Sequence, residues 1–278
     1  MGSLPFSIEF FPPKTPEALA RLRETRERLV RLSPRYFSVT LGAGGSARDG
    51  TLDVAVEIHK KGYEAAPHLT CIGTSRESIR DRLREYQSLG IRHLVALRGD
   101  LPSPYGELGD FRYASELVAF VRAETGDWFH VDVAAYPEVH PQATSPQDDL
   151  KYFINKVKAG ADTAITQYFY NPDAYFHFVD AVQRAGVFIP IVPGIMPITN
   201  YSSLVRFSDT CGADIPRWIR LRLDSYGDDT VSIKAFGLEV VTALCERLRE
   251  GGAPGFHFYS LNQAAMVEAL CANLRLAG

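Results

Sequence analysis

Six times along the chain a charged, amphipathic stretch stops at a glycine and a short apolar run begins at once. Gly62 precedes YEAAPHLT, Gly90 precedes IRHLVALRG, Gly126 precedes DWFHVDVAAY, and the pattern returns at Gly160, Gly186 and Gly251/Gly252. Glycine closes a helix in the left-handed conformation without a Cβ penalty, and runs rich in Val, Ile, Phe and Tyr suit a sheet. Each unit therefore reads as helix, stop, strand. The helix starts agree, because Thr15-Pro16, Ser145-Pro146 and Asn171-Pro172 each set a capping side chain before a proline whose missing N–H is harmless in the first turn. Between caps the apolar period is helical, as at Leu19, Leu22, Leu29 and Leu32.

Eight strands are predicted, at 5–11, 35–41, 64–71, 91–98, 129–136, 161–168, 188–194 and 254–259, each followed by a helix. Alternating βα units form a parallel sheet covered by helices, and eight units in slightly more than about 250 residues is the size of a (β/α)₈ TIM barrel. The expected architecture is α/β, one barrel domain over 1–278, with an extra helix in the long segment 200–250.

Composition narrows the function. With 30 Lys+Arg against 33 Asp+Glu the net charge is −3, so the chain lacks the basic excess that binding a nucleic-acid backbone needs. Cys71, Cys211, Cys245 and Cys271 are scattered, with neither metal nor disulfide spacing. No run approaches the ~18 apolar residues of a spanning helix. A cytoplasmic protein with reduced thiols, no membrane partner and no metal is expected.

In a barrel one face of each strand packs on helices while the other points into the lumen and, at its C-terminal end, towards the active site. Phe6, Ile8 and Phe10 form the apolar side of the first strand, which turns Ser7, Glu9 and Phe11 inward. Burial raises the pKa of a carboxyl, so Glu9 is a candidate general acid. The same alternation turns inward Ser38 and Thr40, His68 and Thr70, Arg98 and Asp100, Asp132 and Tyr136, Gln167, and His257 and Tyr259. Most fall at C-terminal strand ends, the rim where barrel active sites form. Gly99 would let something approach the backbone. Packing readings stand beside these: Glu9 as a structural carboxylate paired with Arg98, His68 and His257 as satisfied interior imidazoles, and Tyr136, Tyr201 and Tyr259 as caps on the core.

Two other chemistries compete. Gly42-Ala43-Gly44-Gly45-Ser46-Ala47 matches a dinucleotide-binding G-x-G-x-x-A, with Glu64 about 20 residues on. It follows the second predicted strand rather than the first, and a glycine-rich rim loop serves a barrel equally well. A metal-dependent hydrolase drawing on His130, Asp132, His140 and His257 meets a geometric objection, since His130 begins its strand and so lies away from the active rim.

Taken in order, Ser7-Ile8-Glu9-Phe10-Phe11-Pro12-Pro13-Lys14, Ser38-Val39-Thr40, Pro67-His68-Leu69-Thr70, Leu97-Arg98-Gly99-Asp100, Ala134-Ala135-Tyr136-Pro137-Glu138-Val139-His140-Pro141, Ala164-Ile165-Thr166-Gln167, Pro193-Gly194-Ile195-Met196-Pro197 and His257-Phe258-Tyr259-Ser260-Leu261-Asn262 resemble the methylenetetrahydrofolate reductases. The resemblance spans nearly the whole chain, and the size resembles the bacterial form, a catalytic domain alone. It implies a barrel that holds FAD at its rim, takes hydride from NADH or NADPH and passes it to 5,10-methylenetetrahydrofolate, both using one site in turn. The product, 5-methyltetrahydrofolate, would supply methyl groups for methionine synthesis.

By that resemblance Glu9 would protonate N10 of the folate and Asp100 would stand between flavin and pterin. Both would be catalytic and would touch substrate, together with Gln167, Tyr201 and Tyr259. FAD would rest on Thr40, His68, Leu97, Arg98, Gly99, Asp100, Tyr113, Ala114, Ala134, Tyr136, His140, Asp149 and Lys156, with Arg98 and Lys156 suited to the pyrophosphate. The 42–47 loop would then lie beside the flavin. A homo-oligomer is the expected assembly. Gln263 stands where some members carry Arg, and Tyr152 and Asn155 where some carry Asn and Arg, which bears on the folate contact and on the adenine end respectively.

Overall fold

The computed structural model describes residues 4–41, 48–100 and 109–276. Its strands are β1 (Phe6–Phe10), β2 (Phe37–Val39), β3 (Ala65–Thr70), β4 (His93–Leu97), β5 (His130–Ala135), β6 (Thr163–Thr166), β7 (Ile191–Val192), β8 (Gly194–Ile195) and β9 (Phe256–Tyr259). Around them lie α1 (Pro16–Leu29), α2 (Arg48–Lys60), α3 (Arg76–Ser88), α4 (Ala114–Thr125), α5 (Pro146–Lys158), α6 (Pro172–Arg184), α7 (Tyr201–Cys211), α8 (Arg217–Tyr226), α9 (Thr230–Glu250) and α10 (Ala265–Leu274). Every strand pairing is parallel, in the order β7-β6-β5-β4-β3-β2-β1-β9-β8. This is a nearly closed TIM-like barrel.

The predicted seventh strand is divided at Pro193. Ile191 and Val192 pair with β6 on one side, whereas Gly194 and Ile195 pair with β9 on the other. Proline has no N–H to donate, so the ladder breaks there and the chain changes neighbours. Its carbonyl still accepts from His257 N at 3.0 Å, and this step joins the two ends of the sheet.

The predicted helix boundaries are present. Thr15, Ser145 and Asn171 accept from the backbone N–H groups of Ala18, Asp148 and Asp173, with Pro following each cap. The helix stops at Gly62, Gly90, Gly126, Gly160, Gly186 and Gly252 all have positive φ. The long segment 200–250 holds three helices rather than a helix and one extra, because left-handed Gly212 and Gly227 end α7 and α8 in turn.

Outside the strands Phe6, Ile8 and Phe10 are buried against the helices with Leu22 and Leu29 of α1. Inside, Tyr36, Ala66, Val95 and Ile165 form a separate apolar layer with Leu97 against it. Below that layer, at the N-terminal strand ends, His93 links Glu64 to Asp132. Glu64 is therefore at the opposite end of the barrel from the rim, which removes it as the ribose-binding partner of a dinucleotide loop. The 42–47 loop lies outside the described residues.

Gly194 carries the tightest constraint at the seam: a Cβ there would meet the Thr166 carbonyl oxygen at 2.1 Å and the Tyr259 hydroxyl at 2.7 Å. Gly194→Ala should destabilise the fold by at least about 3 kcal/mol, measured by chemical denaturation, since neither backbone nor a pinned ring can retreat.

Candidate active site

Strand alternation turns Ser7 and Glu9 into the lumen, and register decides what they meet there. Ser7 pairs in register with His257 and Glu9 with Tyr259 across β1 and β9. The Glu9 carboxylate, 17% exposed, lies 3.3 Å from His68 Nε2 and 3.5 Å from His257 Nε2. Behind it the fully buried His257 ring places Nδ1 2.7 Å from Ser7 Oγ, and Ser38 Oγ lies 3.5 Å from Nε2.

These partners reverse one expectation. Burial pushes the Glu9 carboxyl up, but hydrogen bonds and charge from His257 and His68 outweigh it and hold the pKa down at about 2. The alternative pairing with Arg98 is absent. Arg98 instead donates to Gln142 Oε1 and to the Gly99 carbonyl.

The end of β9 clamps the end of β1. Ser260 Oγ donates to the Glu9 carbonyl at 2.6 Å, while Asn262 Nδ2 donates to the Phe11 carbonyl at 2.9 Å and its Oδ1 accepts from Phe11 N at 3.0 Å. Leu261 and Asn262 both take positive φ, 52° and 56°, a strained turn that these bonds hold. Phe11 itself, expected to point into the lumen, is 45% exposed just past the strand. Gln263 is exposed beyond the clamp.

A second group is strung along the rim over β4 and β5. Gln142 N donates to His140 Nδ1 at 3.0 Å, His140 N donates to Asp149 Oδ2 at 2.9 Å, and the His140 ring stands edge-on to Tyr136. Lys156 reaches in from α5 to donate to the Ala134 carbonyl, and burial pulls its pKa down to about 8. Burial likewise pushes Tyr136 up to about 12 and lowers His140. Tyr113 caps α4, which begins at Ala114, and stacks on Tyr152 of α5 with centroids 5.1 Å apart. Thr40 continues the β1–β2 ladder through its N–H to the Phe10 carbonyl.

Other predicted residues have partners or surroundings of their own. What approaches Gly99 is the protein itself: with φ at +86°, a Cβ would meet Ile72 and Thr70 side chains at 3.1 Å. Tyr259 commits its hydroxyl to the Thr166 carbonyl at 2.7 Å, a strut across the seam. Gln167 turns its Oε1 to the N–H of Tyr168. Tyr201 opens α7, and its phenol is raised by burial and by Asp224 beside it rather than by any group of the mouth. Asp100 is exposed at the edge of the described chain.

The chain matches the family described as methylenetetrahydrofolate reductase over residues 1–275. It belongs to that family. It is 42% identical to the 5,10-methylenetetrahydrofolate reductases of Salmonella typhimurium and Escherichia coli, covering 98% of this chain and 91% of each relative. It is 37% identical to an Arabidopsis thaliana methylenetetrahydrofolate reductase (NADH), covering 99% of this chain but 49% of that relative. Among solved structures, an uncharacterized protein from Clostridium thermocellum that binds two copies of 5-methyl-5,6,7,8-tetrahydrofolic acid aligns over 98% of this chain and 94% of its own at TM-score 0.65 and 18% identity, a likeness of fold.

Gln142 and the Ser260/Asn262 clamp were not singled out by the sequence reading as functional. Gln142 follows the Val-His-Pro run by one residue, and Asn262 closes the last motif block, but no residue type announces a partner from another strand.

The depressed Glu9 carboxyl makes a prediction for acid stability. A group whose folded pKa lies at about 2 against an ordinary 4.5 contributes stability above 4.5 that is lost as pH falls towards 2. Wild type should lose on the order of 3 kcal/mol over that window through this group. Glu9→Gln should lack that increment when both are followed by urea denaturation.

Proposed function

We propose that this chain reduces 5,10-methylenetetrahydrofolate to 5-methyltetrahydrofolate with NADH or NADPH, through FAD held at the rim, the two substrates using one site in turn. Such a reaction supplies methyl groups for methionine synthesis. The observation that carries the reading is the place of Glu9: a carboxyl group inside the mouth, met by two imidazoles, in a chain whose family reduces this folate.

The donor set fits the cofactor. Arg98 and Lys156 are cationic groups on adjoining parts of the rim, suited to a pyrophosphate, and the lowered Lys156 ammonium gains most from an added anion. The stacked, exposed Tyr113–Tyr152 pair offers a flat apolar face for an adenine. Thr40, His68, Leu97 to Asp100, Ala114, Ala134, Tyr136, His140 and Asp149 complete the cradle. FAD supplies hydride transfer in both directions, from nicotinamide and to folate.

Glu9 delivers a proton to N10 of the folate and so opens the five-membered ring. A pterin seated over the mouth excludes water from the carboxyl, which favours its neutral form, and His68 and His257 are the neighbours from which that proton is supplied. Ser7 fixes the orientation of His257 through Nδ1. Asp100 and Gln167 bind the pterin, and Tyr201 and Tyr259 contact the rest of the substrate.

Anaerobic absorption spectroscopy tests the assignment. Flavin bands should bleach with NADH or NADPH and return on adding methylenetetrahydrofolate; a protein that takes up no FAD overturns it. Glu9→Gln should keep FAD and nicotinamide oxidation but lose folate reduction by at least about 100-fold. Comparable folate turnover in that variant would remove Glu9 as the acid.

Lys156 gives a second check. A bound phosphate favours the charged ammonium, so above pH 8 binding must take up a proton, and FAD affinity should fall towards tenfold per pH unit. Fluorescence titration between pH 7 and 9.5 should show this slope in wild type, and a weaker, flatter profile in Lys156→Gln.

A further inference from the structure

The N-terminal end of the barrel holds a charged cluster that the reaction at the rim does not use. His93 on β4 and His130 and Asp132 on β5 bring ligand-capable atoms to within 4.8 Å of one another. Asp132 is fully buried. Its Oδ2 accepts from Tyr36 Oη at 2.7 Å and lies 2.8 Å from His93 Nε2, whereas Oδ1 has no hydrogen-bond partner. A buried carboxylate oxygen without a hydrogen bond is costly, and Oδ1 has only a 3.3 Å contact with His130 Nε2 to offset it.

We propose that His93, His130 and Asp132 form a binding site for a divalent transition metal, Zn²⁺ being the best match, at the N-terminal end of the barrel.

Four features support this. His130 Nε2 faces Thr163 Oγ1 at 2.9 Å and Asp132 Oδ1 at 3.3 Å. A tetrahedral Zn²⁺ with bonds of about 2.0–2.1 Å separates its ligand atoms by about 3.3 Å, so this edge is already at its bound length. His93 Nδ1 lies 3.1 Å from Glu64 Oε1, the carboxylate-behind-imidazole arrangement that fixes the tautomer of a metal-bound histidine, and Nε2, which faces Asp132 Oδ2 at 2.8 Å, is the atom the ion would take in exchange for a proton. Two imidazoles and one carboxylate select zinc-like ions over Ca²⁺ or Mg²⁺, which require an oxygen shell. Finally, the His130 side chain is 42% exposed while His93 is 5% exposed, so the site opens to solvent on one side, where water completes the shell.

Position assigns the role. The N-terminal face of a barrel is where stability rather than catalysis is built. A metal here ties β4 to β5 beneath the apolar layer and uses none of the rim residues. This differs from a hydrolase built on His130, Asp132, His140 and His257, because His140 and His257 are at other levels of the barrel and the third ligand is His93.

The test is a Zn²⁺ titration of chelator-treated protein by isothermal calorimetry at pH 8, with elemental analysis after dialysis, on wild type and His130→Ala. His130 is half-exposed, so its removal leaves the core intact, and circular dichroism checks this. The proposal requires one equivalent of Zn²⁺ in wild type, at least tenfold weaker binding in the variant, and a melting temperature raised by Zn²⁺ in wild type alone. Co²⁺ should give ligand-field absorption bands only in wild type. Absence of stoichiometric binding overturns the site, as does undiminished binding in His130→Ala, which would place the ion on the cysteines or on the imidazoles of the mouth.

Discussion

Parallel pairing of β1 with β9 is the constraint on which the mouth of this barrel depends. The register that sets Ser7 against His257 and Glu9 against Tyr259 brings an imidazole from the last strand to a carboxylate on the first, almost 250 residues apart in sequence. It also carries Ser260 and Asn262 past the strand end to hold the Glu9 and Phe11 backbone. A slip of one residue would turn Glu9 outward and bring Phe6, Ile8 and Phe10 into the lumen, so burial on the helix side enforces the register that the chemistry needs.

The barrel interior is organised as two charged ends separated by an apolar layer. At the rim, Glu9 is satisfied by His68 and His257; at the base, Asp132 is satisfied on one oxygen by Tyr36 and His93. Between them, Tyr36, Ala66, Val95 and Ile165 keep the two groups apart. Each buried carboxylate is tolerable because imidazoles supply both hydrogen bonds and charge, which also holds the Asp132 carboxyl, like Glu9, well below its ordinary range.

Much of this was legible in the chain. Proline-led caps and glycine stops marked the helices because they act through local backbone geometry. Alternation placed Ser7, Glu9, Ser38, His68, Asp132 and His257 in the lumen because side chains on a strand have a period of two. The split at Pro193 and the three helices of 200–250 were less legible, since a strand of five residues and a strand that changes partners carry the same apolar signal. The partners of each lumenal group were not legible at all. Glu9 was set against Arg98 on chemical complementarity, yet Arg98 turns to Gln142.

The sequence by itself determined the order of elements, the class of the fold and which face of each strand is wet, because these follow from local propensity and periodicity. Eight motif blocks in order also tied the chain to its family. Only the tertiary structure decided which strands are neighbours across the closing seam, which imidazole meets which carboxylate, and hence the sign of the Glu9 shift. Burial alone would raise that carboxyl, and two histidines from distant strands lower it. Electrostatic interactions fall off over a few ångströms of space, and separation along the chain does not record that distance.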